Sequence, residues 1–296
     1  MFRTNILKGK RILVTGGGTG LGRKMSEAFL SHGADVYICG RRPAVLEQAA
    51  SEMMAEFGGH VHTQALDIRS AVDVDEYIGQ IFSQGPLDGL VNNAAGNFIS
   101  RTKDISPRGF DAIANIVFHG TFYMTHAVGK RWIEAGTGGS VLSILATWVW
   151  TGSPFVVASA MSKTGIHAMT KSLAVEWGGH NIRLNAIAPG PFPTEGAWAR
   201  LQPDIGGDNA PQAEIHPNSK VAMARNGQMH ELQNLATFLM ADGCQYLTGQ
   251  TIALDGAQYL VGGGTFSAMG AMSDDDWAAA RDSIKNTDNK DKSARK

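Results

Sequence analysis

The sequence predicts an α/β fold, a single doubly wound parallel sheet of about seven strands with helices on both faces. Three observations predict it. Short apolar runs alternate with longer stretches of helical period, one strand runs directly into a glycine-rich turn and a helix, and no Pro/Ser-rich linker breaks the rhythm. The 296 residues are enough to bury a substantial core, and one domain over 1–296 is expected.

The strands are expected, in order, at RILVT (11–15), DVYIC (35–39), VHTQAL (61–66), LDGLVNN (87–93), SVLSIL (140–145), IRLNAIA (182–188) and TIALDG (251–256). Between the first two, Leu21, Met25, Ala28 and Phe29 recur at helical spacing and mark one buried face. Ile166, Met169, Thr170, Leu173 and Trp177 mark a second such face, and Leu232, Leu235, Ala236 and Leu239 a third. Residues 190–228 carry five of the ten prolines plus Gly206 and Gly207, and read as a substrate loop over the sheet's C-terminal edge. Residues 271–296 read as a capped short helix followed by a charged tail.

Composition removes several function classes. With 26 basic and 27 acidic residues the net charge is −1, so no global field draws nucleic acid or an anionic membrane surface. No run approaches the ~18 apolar residues of a membrane helix. Cys39 and Cys244 form neither a disulfide framework nor a CxxC motif, and the N-terminus leaves no room for a signal peptide's apolar core; a reducing, cytoplasmic setting is expected. His60 and His62 face the same way on a strand but lack a third ligand, so no metal is expected.

The glycine turn carries the first functional signal. TGGGTGLG (15–22) follows a strand and opens a helix, which lets the backbone of Gly16, Gly18, Thr19, Gly20, Leu21 and Gly22 approach a pyrophosphate at the helix's positive end. The spacing is G-x-x-x-G-x-G rather than G-x-G-x-x-G. At the end of the second strand the chain reads CGRRP, so Arg41 and Arg42 stand where an NAD site places a carboxylate. A Rossmann-type sheet binding NADP(H) is the expectation.

A second signal is VVASAMSKTG (156–165), which puts Ser159 and Lys163 on one helical face. Alone, the pair reads equally as a helix cap and a solvated lysine. LDIR (66–69), NNAAGN (92–97) and NAIAPGPFPTEG (185–196) supply its context. Together with the glycine turn, these segments resemble the short-chain dehydrogenase/reductase superfamily from about residue 9 to 258. Its Y-x-x-x-K motif is absent, with Ser159 in the tyrosine's place. That substitution, with LAVEWG, PGPFPTEGAWARL and DDDW, is similar to the 2,4-dienoyl-CoA reductases of the mitochondrial type.

The resemblance implies reduction of a 2,4-dienoyl-CoA to a trans-3-enoyl-CoA in fatty acid β-oxidation, by a homotetramer. It implies that Lys163 holds the nicotinamide ribose, that Ser159 bonds near the reacting end, and that Asn97 helps bind the thioester oxygen. Asp67 and Ile68 fall at the adenine, Asn93 and Ala94 along the cofactor, and Pro189, Gly190, Pro191 and Phe192 against the nicotinamide. Arg69, Phe98, Ser106 and Arg200 match acyl-CoA contacts. The chain departs from the pattern at Trp148, which stands where those reductases carry their catalytic tyrosine. An indole N–H donates a hydrogen bond but has no proton to release, so a water held by Asn97, Thr147 or Lys163 has to supply it. Reduction of another enone, enoyl or keto substrate, and cofactor binding without turnover, are the alternative expectations.

Overall fold

The computed structural model describes residues 4–194 and 221–261, together with Ser273 and Asp275. Seven strands, β1 (Arg11–Thr15), β2 (Asp35–Gly40), β3 (Val61–Ala65), β4 (Gly89–Asn92), β5 (Gly139–Ile144), β6 (Ile182–Pro189) and β7 (Thr251–Leu254), form one sheet in the order β3-β2-β1-β4-β5-β6-β7. Every pairing is parallel. All seven expected strands are present. β4 is shorter than the expected 87–93, and just before it the Asp88 carboxylate accepts from Arg11 N at 2.8 Å.

The connections are helical: α1 (Gly20–Ser31), α2 (Pro43–Phe57), α3 (Ala71–Ser83), α4 (Pro107–Ala114), α5 (Gly120–Ala135), α6 (Trp148–Thr151), α7 (Val157–Trp177), α8 (Met229–Met240) and α9 (Gln258–Val261). Side chains alternate across each strand, so the sheet buries two faces. Ile12 and Val14 pack with Met25 and Phe29 of α1 and with Leu232, Ala236 and Leu239 of α8. Leu13 packs on the opposite side with Met124, Val128 and Trp132 of α5 and with Ala174 and Trp177 of α7. The helical faces expected from the sequence are those that meet the sheet, with Leu21, Met169, Leu173 and Leu235 packed at their margins.

β1 lies between β2 and β4, so successive crossovers leave it in opposite directions. Such a reversal opens a crevice beyond the strands' carboxyl ends, where ligands of open α/β sheets bind. Residues Asn115–His119 form a π-helical turn between α4 and α5. Of the expected loop over 190–228, residues 195–220 lie outside the described residues, as does the expected helix and tail at 271–296 apart from Ser273 and Asp275.

Candidate active site

A cleft of about 1270 Å³ runs along the carboxyl ends of β1, β2, β4, β5 and β6. Its floor is the glycine turn. Gly16 has φ 66° and its N–H donates to the Cys39 carbonyl at 2.7 Å, which turns the chain out of β1. Thr15 then ties the turn to the neighbouring loop: its hydroxyl accepts from Asn93 N at 3.0 Å and Ala94 N at 2.9 Å. The Asn93 amide donates to the Thr15 carbonyl at 3.0 Å. A Cβ on Gly22 would lie 2.4 Å from both the Gly16 carbonyl oxygen and Asn93 Nδ2, so this contact admits no side chain. Helix α1 begins here without an acidic residue in its first turn and without a side-chain cap on its amides. Its N-terminus therefore presents backbone donors and a positive dipole end to the cleft.

At one end of the cleft are Arg41, Arg42, Asp67 and Ile68. Both arginines are exposed, and neither forms an ion pair among the described residues. Asp67 accepts from Arg69 Nε at 2.9 Å, and that guanidinium holds its carboxyl below the ordinary value. Cys39 also reaches the cleft, with its thiol pushed up to about 12 by burial.

The other end is formed by Asn97, Ile144, Ala146, Trp148, Ser159, Lys163 and the segment Pro189 to Phe192. Ser159 and Lys163 are both buried on α7, and Lys163 Nζ donates to the Ile144 carbonyl at the end of β5. Burial lowers the Lys163 pKa from 10.5 to about 8. Asn97 Oδ1 accepts from Phe98 N at 2.9 Å, which leaves its amide N–H₂ as the group free to donate. Of the buried side-chain polar atoms without a partner among the described residues, Trp148 Nε1 alone belongs to a residue lining the cleft. On the single turn of α6, residues two positions apart diverge. Trp150 thus leaves the cleft and stacks on Tyr259, with centroids 4.8 Å apart and planes at 27°. Ser100 N–H donates to the Phe155 carbonyl at 2.9 Å, joining the loop that carries Asn97 to the one that follows Trp148. Phe192 is buried against Gly227, where a Cβ would lie 2.3 Å from the ring. Gly227 N–H also donates to the Pro191 carbonyl at 3.0 Å.

A family model described as enoyl-(acyl carrier protein) reductase matches residues 16–257. A probable 2,4-dienoyl-CoA reductase 3 of Caenorhabditis elegans, (3E)-enoyl-CoA-producing, is 44% identical over 87% of this chain and 83% of its own. The chain is a short-chain dehydrogenase/reductase.

A probable 2,4-dienoyl-CoA reductase of Bacillus subtilis, (2E)-enoyl-CoA-producing, is 36% identical to this short-chain dehydrogenase/reductase over 85% of the chain and 97% of its own. Among solved structures, a putative 2-deoxy-D-gluconate 3-dehydrogenase from Agrobacterium tumefaciens with bound NADP superposes with a TM-score of 0.77. It is 25% identical, and the match covers 87% of this chain and all of that one. Membership makes the protein an oxidoreductase with a nicotinamide cofactor. The cleft fits one: a glycine turn at a helix N-terminus, two exposed arginines at one end and a buried lysine at the other.

In this short-chain dehydrogenase/reductase the fold brings together Gly16, Gly18, Thr19, Gly20, Leu21, Arg41, Arg42, Asp67, Ile68, Asn93, Ala94, Asn97, Trp148, Ser159, Lys163, Pro189, Gly190, Pro191 and Phe192 as cleft lining. Gly22 builds the turn from beneath, and the Asn93 side chain acts as its brace. Three residues are elsewhere. Arg69 is exposed and engaged with Asp67, the Ser106 hydroxyl accepts from Gly109 N at the start of α4, and Phe98 packs on the apolar cluster around Ile113. Arg200 lies outside the described residues. Sequence reasoning missed Ile116, which the π-helical turn brings to the cleft, and Thr15, whose strand-end position before the glycines was its one available signal.

Proposed function

We propose that this chain reduces a 2,4-dienoyl-CoA to a trans-3-enoyl-CoA with NADPH, as a step of fatty acid β-oxidation, acting as a cytoplasmic homotetramer. The bound nicotinamide supplies a hydride to the conjugated acyl chain. The protein holds the dinucleotide by the α1 N-terminus and the glycine turn, with Arg41 and Arg42 meeting the 2′-phosphate. Lys163 holds the ribose beside the reacting end. As hydride adds, negative charge collects on the thioester oxygen, and donors aimed there stabilise the transition state more than the ground state. One observation carries the reading: Trp148, whose buried indole N–H has no partner among the described residues, lines the same end of the cleft as Asn97. Two N–H donors at that end suit a polarised thioester oxygen.

The test follows NADPH absorbance with 2,4-hexadienoyl-CoA, with crotonyl-CoA and a 3-ketoacyl-CoA as comparators. The expected result is oxidation with the dienoyl thioester at least tenfold faster than with either comparator, and a product double bond at carbon 3. Faster turnover of a comparator, or a product double bond at carbon 2, would overturn the assignment.

A further inference from the structure

Hydride addition to a dienoyl thioester leaves a dienolate whose α-carbon still needs a proton, and a source for that proton rests on the dienoyl-CoA substrate proposed for this cleft. Among the described residues lining the deep end of the cleft, Lys163 is the one ionisable side chain. The other ionisable lining residues, Arg23, Lys24, Cys39, Arg41, Arg42 and Asp67, belong to α1 and to the ends of β2 and β3. Trp148 has a donor but no proton to give up. Ser159 precedes Lys163 by one helical turn on the same face of α7, and both are buried on the cleft wall.

We propose that Lys163 is the proton source of this reaction and that the Ser159 hydroxyl passes the proton to the α-carbon. A Lys163 N–H bond breaks toward the Ser159 oxygen as the serine's own O–H bond breaks toward the substrate. The dienolate's electron pair forms the new C–H bond, and the ammonium becomes an amine that regains a proton from bulk water. Lys163 Nζ donates to the neutral Ile144 carbonyl, and no carboxylate pairs with it among the described residues. The elements packed on α7 carry Arg108 and Asp111 on α4, His119 in the π-helical turn, His180 in the 3-10 turn Gly178–His180 and Arg183 on β6, while α6 and β5 carry no ionisable side chain. On α7 itself stand His167, Lys171 and Glu176. None of these causes the lowered pKa of Lys163, which burial produces.

The decisive experiment is single-turnover reduction of 2,4-hexadienoyl-CoA at saturating NADPH across pH 6 to 10, for wild type, Lys163→Arg, Ser159→Ala and Ser159→Thr. The expected wild-type rate falls tenfold per pH unit above one break. Lys163→Arg abolishes the break and lowers the rate at saturating NADPH about a hundredfold or more. Ser159→Ala lowers the rate about tenfold or more, and Ser159→Thr restores most of it. A break that survives in Lys163→Arg, or a defect confined to NADPH affinity, would overturn the proposal. A second readout needs neither cofactor nor turnover: in the free protein labelled with ¹³Cε-lysine, one resonance missing from Lys163→Arg titrates between pH 7 and 9. A midpoint at pH 10 or above refutes the proposal. Failure of the wild type to reduce the dienoyl thioester would refute the substrate assignment, and the lysine titration still decides the protonation behaviour of Lys163.

Discussion

Gly22 of α1 lies directly against the amide of Asn93: a Cβ placed on the glycine would stand 2.4 Å from Asn93 Nδ2 and equally close to the Gly16 carbonyl oxygen. Two of these three groups are fixed backbone, so the clash cannot be relieved by a rotamer. Gly22→Ala is therefore expected to lower stability by about 1–3 kcal/mol and to weaken NADPH binding at least tenfold. Thermal unfolding and fluorescence titration measure the two effects. Gly178 is the control: it is exposed and helical, and an added Cβ meets nothing within 4 Å. Gly178→Ala should leave binding unchanged and raise stability slightly.

Arg41 and Arg42 follow β2 as exposed cations at one end of the cleft. Replacing both by alanine should raise the KM for NADPH at least tenfold while that for NADH changes less than threefold, because only NADPH carries the 2′-phosphate. The NADPH defect should shrink as salt is added, since screening already weakens the wild-type contact. Initial rates with each dinucleotide at two ionic strengths check this.

Trp148→Phe keeps an aromatic ring in α6 and removes the buried N–H. If that N–H meets the thioester oxygen, kcat for the dienoyl thioester drops about a hundredfold, within the range for loss of one such donor. NADPH affinity should be unchanged. Equal losses in KM alone would place the indole's contribution in ground-state binding.

Lys163 makes stability depend on pH with a defined sign. Its folded pKa is depressed to about 8 from an ordinary 10.5, so between those values the native state binds fewer protons than the unfolded chain. Its contribution is at its maximum above the unfolded value and is lost as pH falls through about 8. Cys39 works in the opposite direction, because its thiol is raised to about 12. Subtraction isolates the lysine: the stability advantage of Lys163→Met over wild type should shrink by roughly 3 kcal/mol from pH 7 to pH 10.5. Urea unfolding of the cofactor-free proteins at a series of pH values measures it.

The sheet was legible because apolar runs bounded by glycines leave few alternatives, and β1, β5 and β6 fall within a residue of where the pattern puts them. The glycine turn was legible because its chemistry is local. What escaped depends on where side chains go. Arg69 closes onto Asp67 two residues away, Ser106 turns to its own helix amide, and His62 stacks on Tyr37 with centroids 4.3 Å apart. Residue type and spacing read the same whether such a group meets a ligand or a neighbour. The π-helical turn is equally silent, since one extra residue in a helix leaves no periodic mark.

Phe192 and Gly227 bear on how this protein could be re-engineered. The ring fills the space a side chain at 227 would need, and the backbone of 227 in turn holds Pro191 in place. A library that varies position 227 alone will return collapsed variants, whereas trimming Phe192 first opens room at both. The two positions are a single unit of variation, and laboratory evolution of a wider cleft has to pass through the aromatic before it can touch the glycine.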